Sequence, residues 1–338
     1  MRKLVTVREI SDIQPIPGAD NIEVATIDGW KCVVVKGAFK VHDAACYFEI
    51  DSLIPVEHDA FEFLREKAKY RNVEGKLCHR LRTIKLKGQI SQGLALPVSE
   101  LAPLRLSQSA DFEELLGVTQ YAPPVPGSLA GKVKGNYPSF IPKTDQERVQ
   151  NMWKDIKSRS DLYEITIKED GSSMTIYRMG DQFGVCSRNW ELDETDDNHY
   201  WTVVRNKNLR EKLNSLNAYD NLAFQGELMG PGVQGNNEGL LELDFFVYDI
   251  WDIEQKKYLP AEERIALCKL LGISHVPVIN IGDILLCEWV LEELLEFAAG
   301  PSLNPKAIRE GLVFKSLDDP WFSFKVISNQ YLLKHGDR

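Results

Sequence analysis

A cluster of prolines divides this chain into two parts. The segment Tyr121–Gly127 holds three prolines, and proline can occupy neither the interior of a helix nor a central strand. With 338 residues, the chain is long enough for one domain on each side of that break. We therefore predict an α+β protein with a first domain over residues 1–125, a linker over residues 126–140 and a second domain over residues 141–338.

The first part of the chain consists of short strand-like runs separated by turn residues. Residues 21–27 alternate apolar and polar side chains, and Trp30–Val35 is rich in β-branched residues. Further strands are expected over residues 45–50 and 93–97. Closely spaced short strands in about 100 residues favour a small β-barrel.

The charge of this first part is unevenly distributed. Nine lysines and arginines and only two glutamates lie between Arg65 and Lys87, in a chain with a net charge of −10. Such an asymmetry predicts a local surface that binds a polyanion, although an ordinary solvated charged face would give the same count. The residues that we expect to contact nucleic acid are Arg80, Arg82, Lys85 and Lys87.

Several protein classes are excluded by what the sequence lacks. No apolar run approaches the ~18 residues of a membrane span, and the charged N-terminus has no secretory signal pattern. The six cysteines are scattered without metal-ligand spacing, which is typical of reduced thiols. We therefore expect an intracellular protein without a membrane partner, and the sequence does not distinguish cytoplasm from nucleus.

The second part mixes helices and strands. Thr144 and Glu147 predict a capping box ahead of a helix that starts near Val149. Pro260 and Gly272 enclose another helix. A third helix is expected near residues 288–297, and strands are expected over residues 163–167, 182–186, 222–228, 243–251, 311–315 and 322–327.

A lysine stands at the end of one predicted strand. Lys168 closes the run from Ile165 and is followed by Asp170 and the turn residue Gly171. Free lysine has a pKa of ~10.4, so such an amine is a nucleophile only where burial, a cationic neighbour or a metal keeps it neutral. A solvated lysine at a strand end would show the same short pattern.

Five further elements follow this lysine in a fixed order. Each alone is more often core or surface than functional site, but the ordered set is specific. The elements are Ser187–Asn189 with Arg188, Phe224–Leu228 with Glu227, Phe245–Asp249 with Phe246, Glu310–Lys315, and Phe322–Val326 with Lys325.

Over residues 140–330 the chain resembles the covalent nucleotidyltransferases, the superfamily of RNA ligases, DNA ligases and mRNA-capping guanylyltransferases. The resemblance implies antiparallel sheets with flanking helices. In the commonest form of the last motif, K-x-K, a second lysine stands where this chain has Ile327. Lys168–Gly171 resembles the nucleophile motif, Arg188 the arginine after it, Glu227 and Glu310 the acidic motifs, Phe246 the base-stacking aromatic residue, and Lys325 the last lysine.

The order of the domains indicates which branch of this superfamily the chain resembles. DNA ligases and capping enzymes place an OB domain after the last lysine motif, whereas the barrel-like domain here comes first. That order, together with the segment 142–151, resembles the ATP-dependent RNA ligases of the Deinococcus and Naegleria type, which implies an N-terminal OB-like β-barrel followed by a nucleotidyltransferase domain. The resemblance implies a monomer that uses ATP and Mg²⁺ or Mn²⁺ to seal breaks in RNA or in an RNA-containing nicked duplex.

The resemblance also implies a role for each candidate residue. The catalytic residues would be Lys168, which forms a lysyl-AMP, and Asp170, Glu227, Glu310 and Lys325. Asp170, Glu227 and Glu310 would hold the metal, although binding of the ribose hydroxyls by Asp170 or Glu227 stays open. The nucleotide would contact Lys168, Ile167, Arg188, Phe246, Arg148, Lys143, Lys315, Glu227 and Lys325.

Some of these assignments have structural alternatives. Adjacent strand residues point to opposite faces, so Phe246 would stack on adenine while Phe245 faces the core, and the reverse arrangement stays open. Arg148 would equally suit a helix surface, and Lys315 a structural position. At the level of function, a DNA ligase, a GTP-dependent capping-type enzyme and a non-catalytic RNA-binding protein are the alternatives.

Overall fold

A computed structural model describes residues 3–104, 112–121, 127–216 and 219–336. Most of the predicted proline-containing break, residues 122–126, lies outside this part of the chain. Contacts divide the chain into two units, Met1–Pro124 together with Asn329–Arg338, and Val125–Ser328. Among the described residues, no helix is long and apolar enough to cross a membrane.

The first unit is built from short antiparallel strands. Within the described residues, its helical segments are two 3-10 helices, Asp59–Lys67 and Val98–Leu104, and two α-helices, α1 (Phe112–Leu116) and Asn329–His335. Its described strands are β1 (Val5–Glu9), β2 (Asp12–Pro15), β3 (Ile22–Ile27), β4 (Trp30–Val35), β5 (Ala44–Phe48), β6 (Ser52–Pro55), β7 (Tyr70–Arg71), β8 (Leu77–Arg80), β9 (Ile84–Leu86), β10 (Gln89–Ser91), β11 (Leu94–Pro97) and β12 (Thr119–Gln120).

These strands form small sheets in the orders β1-β5-β11, β2-β3-β4 and β12-β6-β8-β7, with β9 and β10 as a separate hairpin. Successive side chains of a strand point to opposite faces. In β5 the side chains on both faces are buried. Cys46 and Phe48 pack into one apolar cluster, while Ala45 and Tyr47 pack into another.

The second unit contains two larger sheets with helices beside them. Short 3-10 helices occupy Gly127–Leu129 and Leu286–Glu288. The strands and helices, in chain order, are β13 (Val133–Asn136), β14 (Glu147–Arg148), α2 (Val149–Lys157), β15 (Leu162–Lys168), β16 (Ser172–Met179), β17 (Gln182–Ser187), β18 (Trp190–Leu192), α3 (His199–Asn206), α4 (Leu209–Asn214), β19 (Asn221–Met229), β20 (Asp244–Asp252), β21 (Lys257–Tyr258), α5 (Ala261–Leu271), β22 (Val278–Leu285), α6 (Leu291–Phe297), β23 (Gly311–Ser316) and β24 (Ser323–Ile327).

The larger sheet has the strand order β13-β18-β17-β16-β19-β20-β21, and the smaller has the order β14-β24-β23-β15-β22. All pairs are antiparallel except β14 with β24, which is parallel. One face of the smaller sheet packs into an apolar cluster in which Phe314 and Phe324 stack with ring centroids 5.1 Å apart. The other face is therefore the one that can carry charged side chains.

Two features of the domain division differ from the prediction. Strand β13 pairs with β18 in the larger sheet, so residues 133–136 belong to the second unit rather than to a linker. The last helix, α7 (Asn329–His335), lies beside β10 and belongs to the first unit, whereas the prediction assigned it to the second domain. The assignment of α7 to the first unit leaves no local pattern in the sequence, because it depends on a contact between distant segments.

Candidate functional site

The register of the smaller sheet places three basic residues on one face. Lys168 pairs with Gly311 of β23, and Lys325 of β24 pairs with Val313, two residues further along. Arg148 of β14 in turn pairs with Lys325. Since alternate residues of a strand share a face, these three side chains leave the sheet on the side opposite its apolar core.

Lys168 is held by a carboxylate. Its Nζ donates a hydrogen bond to Glu310 Oε2 at 2.6 Å, and the two side chains are 26% and 19% exposed. Burial disfavours the charged amine, but attraction to Glu310, Glu227 and Asp170 outweighs it, so the pKa of Lys168 lies above its usual value. The ligand-free protein therefore keeps this lysine as an ammonium ion.

A tight turn carries the chain from Lys168 into the larger sheet. A Cβ at Gly171 would lie 2.4 Å from the carbonyl oxygen of Leu228 and 2.8 Å from Glu227 Cγ, so only glycine fits. Strand β16 begins directly after this turn, and its residue Ser173 pairs with Glu227. The turn thereby fixes Glu227 of one sheet close to Lys168 of the other.

Glu227 lies in a surplus of negative charge. Burial raises the pKa of Glu227 to about 8, with repulsion from Glu310 and Asp170 adding to the effect and attraction to Lys168 opposing it. In the ligand-free protein the balance of these effects favours the neutral form of this carboxyl. Three carboxyl groups, those of Asp170, Glu227 and Glu310, interact with the same lysine, Lys168.

These carboxylates fit a divalent cation in charge and in donor type, because hard cations bind carboxylate oxygen. Within the described residues, no three acidic, histidine or cysteine side chains form a ready-made metal cluster. A cation at this site would thus need further oxygen ligands from phosphate or water, which suits ions that keep part of their water shell.

A second group of charges surrounds Lys325 and has the opposite sign. Burial, followed by repulsion from Arg148 and Lys168, lowers the pKa of Lys325 to about 8. Arg188 acts in the same direction, and Glu310 opposes the effect. A cluster with this excess of positive charge favours binding of an anion such as a phosphate group.

Arg188 and Lys143 lie at the exposed edge of this cluster. Arg188 Nη2 is 2.6 Å from Asp145 Oδ1. Lys143 Nζ donates to Asn189 Oδ1 at 2.8 Å. These two contacts tie the residues after β17 to the segment before α2, and both can open without exposing a buried charge.

The paired phenylalanines of β20 lie on opposite faces, as predicted. Phe245 is fully buried in the core of the larger sheet. Phe246 pairs with Glu227 and packs with Met229 and Val276 in a small separate cluster. Of the two rings, Phe246 is therefore the one on the face that carries the carboxylate.

The structure does not bring the Ile167 side chain or the Lys315 amine into the charged cluster. Ile167 packs into the apolar core of the smaller sheet. Lys315 Nζ donates to the carbonyl oxygen of Tyr248 at 2.6 Å and to Asp249 Oδ1 at 2.7 Å. Both of these bonds are internal, so Lys315 occupies a structural position in the ligand-free protein.

Lys315 belongs to a buried ionic network instead. Arg264 contacts Glu164 and lies 3.9 Å from Asp249. These four residues line a cavity of about 400 Å³. Burial outweighs the attraction to Asp249, so the pKa of Lys315 is lowered.

One contact at the site has no signal in the sequence. Asn237 Nδ2 donates to Asp170 Oδ2 at 2.7 Å, and this bond fixes the carboxylate that follows Lys168. Asn237 lies in the long connection between β19 and β20, where nothing distinguishes it from a loop residue. Only the folded chain brings it to the motif.

The four residues predicted to contact nucleic acid have different surroundings. Arg80 Nη2 is 2.5 Å from Asp51 Oδ1, and its guanidinium lies 3.9 Å from the centre of the Tyr121 ring. Its side chain is only 16% exposed, which indicates a structural role. Arg82, Lys85 and Lys87 are exposed.

Comparison with known proteins agrees with this geometry. A family model described as RNA ligase matches residues 161–327, and one described as an OB-fold domain matches residues 4–98. A comparison with curated protein sequences found no match.

Solved structures of Naegleria gruberi RNA ligase are similar along the whole chain. A variant with ATP and manganese is 46% identical with a TM-score of 0.83, covering 99% of this chain and 100% of that one. Another variant, with AMP and manganese, is 46% identical with a TM-score of 0.84 and full coverage of both chains. The enzyme with pyrophosphate is 45% identical with a TM-score of 0.82, again with full coverage.

These matches confirm the predicted architecture, an N-terminal OB fold followed by a mixed domain of sheets and helices. They also confirm the predicted class of enzyme. The chain belongs to the family of ATP-dependent RNA ligases.

Proposed function

We propose that this enzyme joins a 3′-OH to a 5′-phosphate through a covalent lysyl-AMP on Lys168. The observation that carries the proposal is the position of the Lys168 amine, which lies on the sheet face that also carries Lys325 and Arg148 and is hydrogen-bonded to the Glu310 carboxylate at 2.6 Å. An amine next to an anion-binding cluster can attack a bound phosphate. ATP and manganese accompany the similar Naegleria enzyme, and we extend both, with Mg²⁺ as the alternative metal, to this chain.

In the first step Lys168 Nζ forms a bond to the α-phosphorus of ATP while the bond to pyrophosphate breaks. The amine must lose a proton first, and Glu310 Oε2, at 2.6 Å, is placed to accept it. Lys325 and Arg148 bind the α-phosphate and the departing pyrophosphate, with Arg188 at the exposed edge. Positioning and neutralised oxygens supply most of the catalysis in phosphoryl transfer.

Asp170, Glu227 and Glu310 would hold the divalent metal, partly through its water ligands. The metal supplies positive charge that neutralises phosphate oxygens and favours the neutral form of a nearby amine. In the ligand-free protein, attraction to these carboxyl groups raises the pKa of Lys168, and a bound cation would oppose that attraction.

The nucleoside occupies the space beside Phe246, whose ring stacks on adenine. Ile167, with its side chain in the core, can contact the nucleotide only through its main chain. Lys143 reaches the phosphates if its bond to Asn189 opens, and Lys315 supports the pocket from the buried side through Tyr248.

Two further transfers complete the reaction. An oxygen of the 5′-phosphate attacks the adenylyl phosphorus, and the bond to Lys168 breaks as its amine regains a proton. The 3′-OH oxygen then attacks the activated 5′-phosphorus, and AMP leaves as the phosphodiester forms. The preferred substrate is a nick in a duplex with RNA on the 3′-OH side, held in part by Arg82, Lys85 and Lys87.

Sealing of matched nicked duplexes tests this substrate assignment. The purified enzyme would receive ATP and manganese with four nicks that differ only in whether the 3′-OH strand and the 5′-phosphate strand are RNA or DNA. We expect rapid sealing whenever the 3′-OH strand is RNA. Equal sealing of the all-DNA nick would favour a DNA ligase, and preference for GTP would favour a capping-type enzyme.

A further inference from the structure

The connection between β19 and β20 contains a closed turn. Asn236 Nδ2 donates to the carbonyl oxygen of Leu240 at 2.9 Å, and Asn236 Oδ1 accepts from the main-chain nitrogen of Leu240 at 3.0 Å. The main-chain nitrogen of Gly239 donates to the carbonyl oxygen of Asn236 at 2.9 Å. An asparagine side chain that bonds nearby main-chain groups in this way stabilises a local turn. Asn237 and Glu238 therefore have defined positions within it.

Two residues of this turn contact other segments of the second unit. Asn237 Nδ2 donates to Asp170 Oδ2 at 2.7 Å, in the turn that follows Lys168. Glu238 Oε2 accepts from the main-chain nitrogen of Asn304 at 2.7 Å, in the connection between α6 and β23. Asn304 Nδ2 in turn donates to the carbonyl oxygen of Asn237 at 3.4 Å. The closed turn is thus bonded both to the lysine motif and to a second connection.

A third contact joins the lysine motif to that second connection directly. Ser302 Oγ donates to Glu169 Oε2 at 3.4 Å, and both residues are buried. The main-chain nitrogen of Ser302 donates to the carbonyl oxygen of Ala307 at 3.1 Å, so this connection also contains a closed loop. The three segments are therefore bonded to one another in pairs.

Each of these segments adjoins one carboxyl group of the proposed metal site. Asp170 belongs to the lysine motif, Glu227 lies in β19 before the closed turn, and Glu310 directly precedes β23. Strands β19 and β23 belong to different sheets, so strand register within one sheet cannot by itself fix the spacing of all three groups. The hydrogen bonds among the three segments supply that constraint.

We propose that Asn237 is a positioning residue for the divalent metal. Its amide fixes the orientation of the Asp170 carboxylate, while Glu238 and Asn304 hold that amide in place. Hydrogen bonds from residues that do not touch a metal orient its ligands, and their loss typically lowers metal affinity by about 10- to 100-fold. A neutral amide does this without adding a positive charge that would repel the cation. The inference rests on the proposed function, since it concerns the metal of that reaction.

Direct measurement of manganese binding tests this role apart from catalysis. The probe is Mn²⁺ added to the nucleotide-free full chain in the presence of AMP, with free Mn²⁺ followed by electron paramagnetic resonance. Asn237→Ala removes the bond to Asp170. Glu238→Ala removes the acceptor that holds Asn304, whereas Glu238→Gln keeps an oxygen acceptor there. Asn214→Ala, at the exposed end of α4, is the matched control.

We expect Asn237→Ala to bind Mn²⁺ about tenfold more weakly than the wild type, because a metal ligand loses its orienting bond. Glu238→Ala should lose less affinity, and Glu238→Gln and the control should match the wild type. Self-adenylylation of Asn237→Ala should fall at low Mn²⁺ and return to the wild-type rate at saturating Mn²⁺, with an unchanged KM for ATP. A residue that only stabilises the fold would not shift the Mn²⁺ requirement alone.

Wild-type Mn²⁺ affinity in Asn237→Ala would overturn the proposal, as would a loss of adenylylation that saturating Mn²⁺ does not restore. Melting temperatures measured without metal show which variants are folded. If Asn237→Ala does not fold, wild-type affinity in Glu238→Ala would overturn the proposal in its place. A wild type that binds Mn²⁺ with AMP but acquires no adenylyl group from ATP would instead count against the proposed function, and the comparison of Mn²⁺ affinities would stay readable.

Discussion

At the scale of single residues, the ligand-free site holds its key groups in protonation states that oppose the reaction. Lys168 is a paired ammonium ion, and burial raises the pKa of Glu227 to about 8. Burial lowers the pKa of Lys325 to about 8. In the proposed reaction, bound phosphate and metal would supply the charges that this arrangement lacks, so we expect binding and activation to be coupled.

Lys325 gives a testable consequence of this coupling. Its folded-state pKa of about 8 lies below the value of ~10.4 for a free lysine, so the charged form is disfavoured on folding. Lys325→Met should therefore raise the melting temperature of the ligand-free enzyme at pH 7, by about 2–4 °C for each kcal/mol gained. The advantage should shrink between pH 8 and pH 10, where the wild-type lysine loses its proton.

Thermal unfolding with and without pyrophosphate measures both sides of this prediction. Pyrophosphate should stabilise the wild type, since a ligand that binds only the folded state raises its stability, and should stabilise Lys325→Met much less. A lower melting temperature for the ligand-free variant at pH 7 would contradict our description of the Lys325 cluster.

At the scale of secondary-structure elements, the site depends on how β15 passes into β16. Lys168 ends the first strand, Ser172 begins the second, and the two strands belong to different sheets. The turn between them must approach Leu228 closely, which explains a glycine at position 171. The motif is thus a structural joint as well as a set of functional groups.

Substitution of this glycine should damage both stability and activity. In Gly171→Ala the new Cβ would meet the main-chain oxygen of Leu228 at 2.4 Å, and such overpacking costs about 1–3 kcal/mol. We expect a lower melting temperature and loss of self-adenylylation. Gly135→Ala is the control, because a Cβ there meets nothing within 4 Å. Equal behaviour of the two variants would show that the joint is not constrained.

Most elements of the second domain could be predicted because their patterns are local. The strand predicted over residues 163–167 is Leu162–Lys168, and Pro260 and Gly272 flank α5 as expected. The capping box was wrong: the N-cap of α2 is Arg148, and Thr144 bonds to the hydroxyl of Tyr248 instead. Tyr248 is distant from Thr144 in sequence, so no local pattern predicts the hydrogen bond between their hydroxyl groups.

The candidate site residues likewise fall into two groups: those that regular strand patterns predict and those whose contacts depend on distant segments. The predicted charges at the ends or along the faces of strands, such as Lys168, Glu227 and Lys325, come together because strand register is regular. The surroundings of Lys315 and Arg80 could not be predicted from sequence, because each forms an ion pair with an acidic residue elsewhere in the chain. Lys315 pairs with Asp249, and Arg80 pairs with Asp51. Asn237 was missed because its contact crosses a loop.

At the scale of the whole molecule, the two units differ in how their charged residues are arranged. The first unit contains a basic segment, while the second unit brings carboxylates and lysines together at one site. The order of the two domains, predicted from sequence, is confirmed by the comparisons. The placement of α7 with the first unit shows that this division does not follow the chain to its end.

The central claim is that Lys168 is the residue that receives AMP. The intact protein, freed of any bound nucleotide, would be incubated with ATP and manganese and its mass measured before and after peptide mapping. The account predicts the gain of one adenylyl group, acid-labile and located on Lys168, absent from Lys168→Ala and retained in the control Lys154→Ala. No gain of mass in the wild type, or an adenylyl group on another residue, would contradict it.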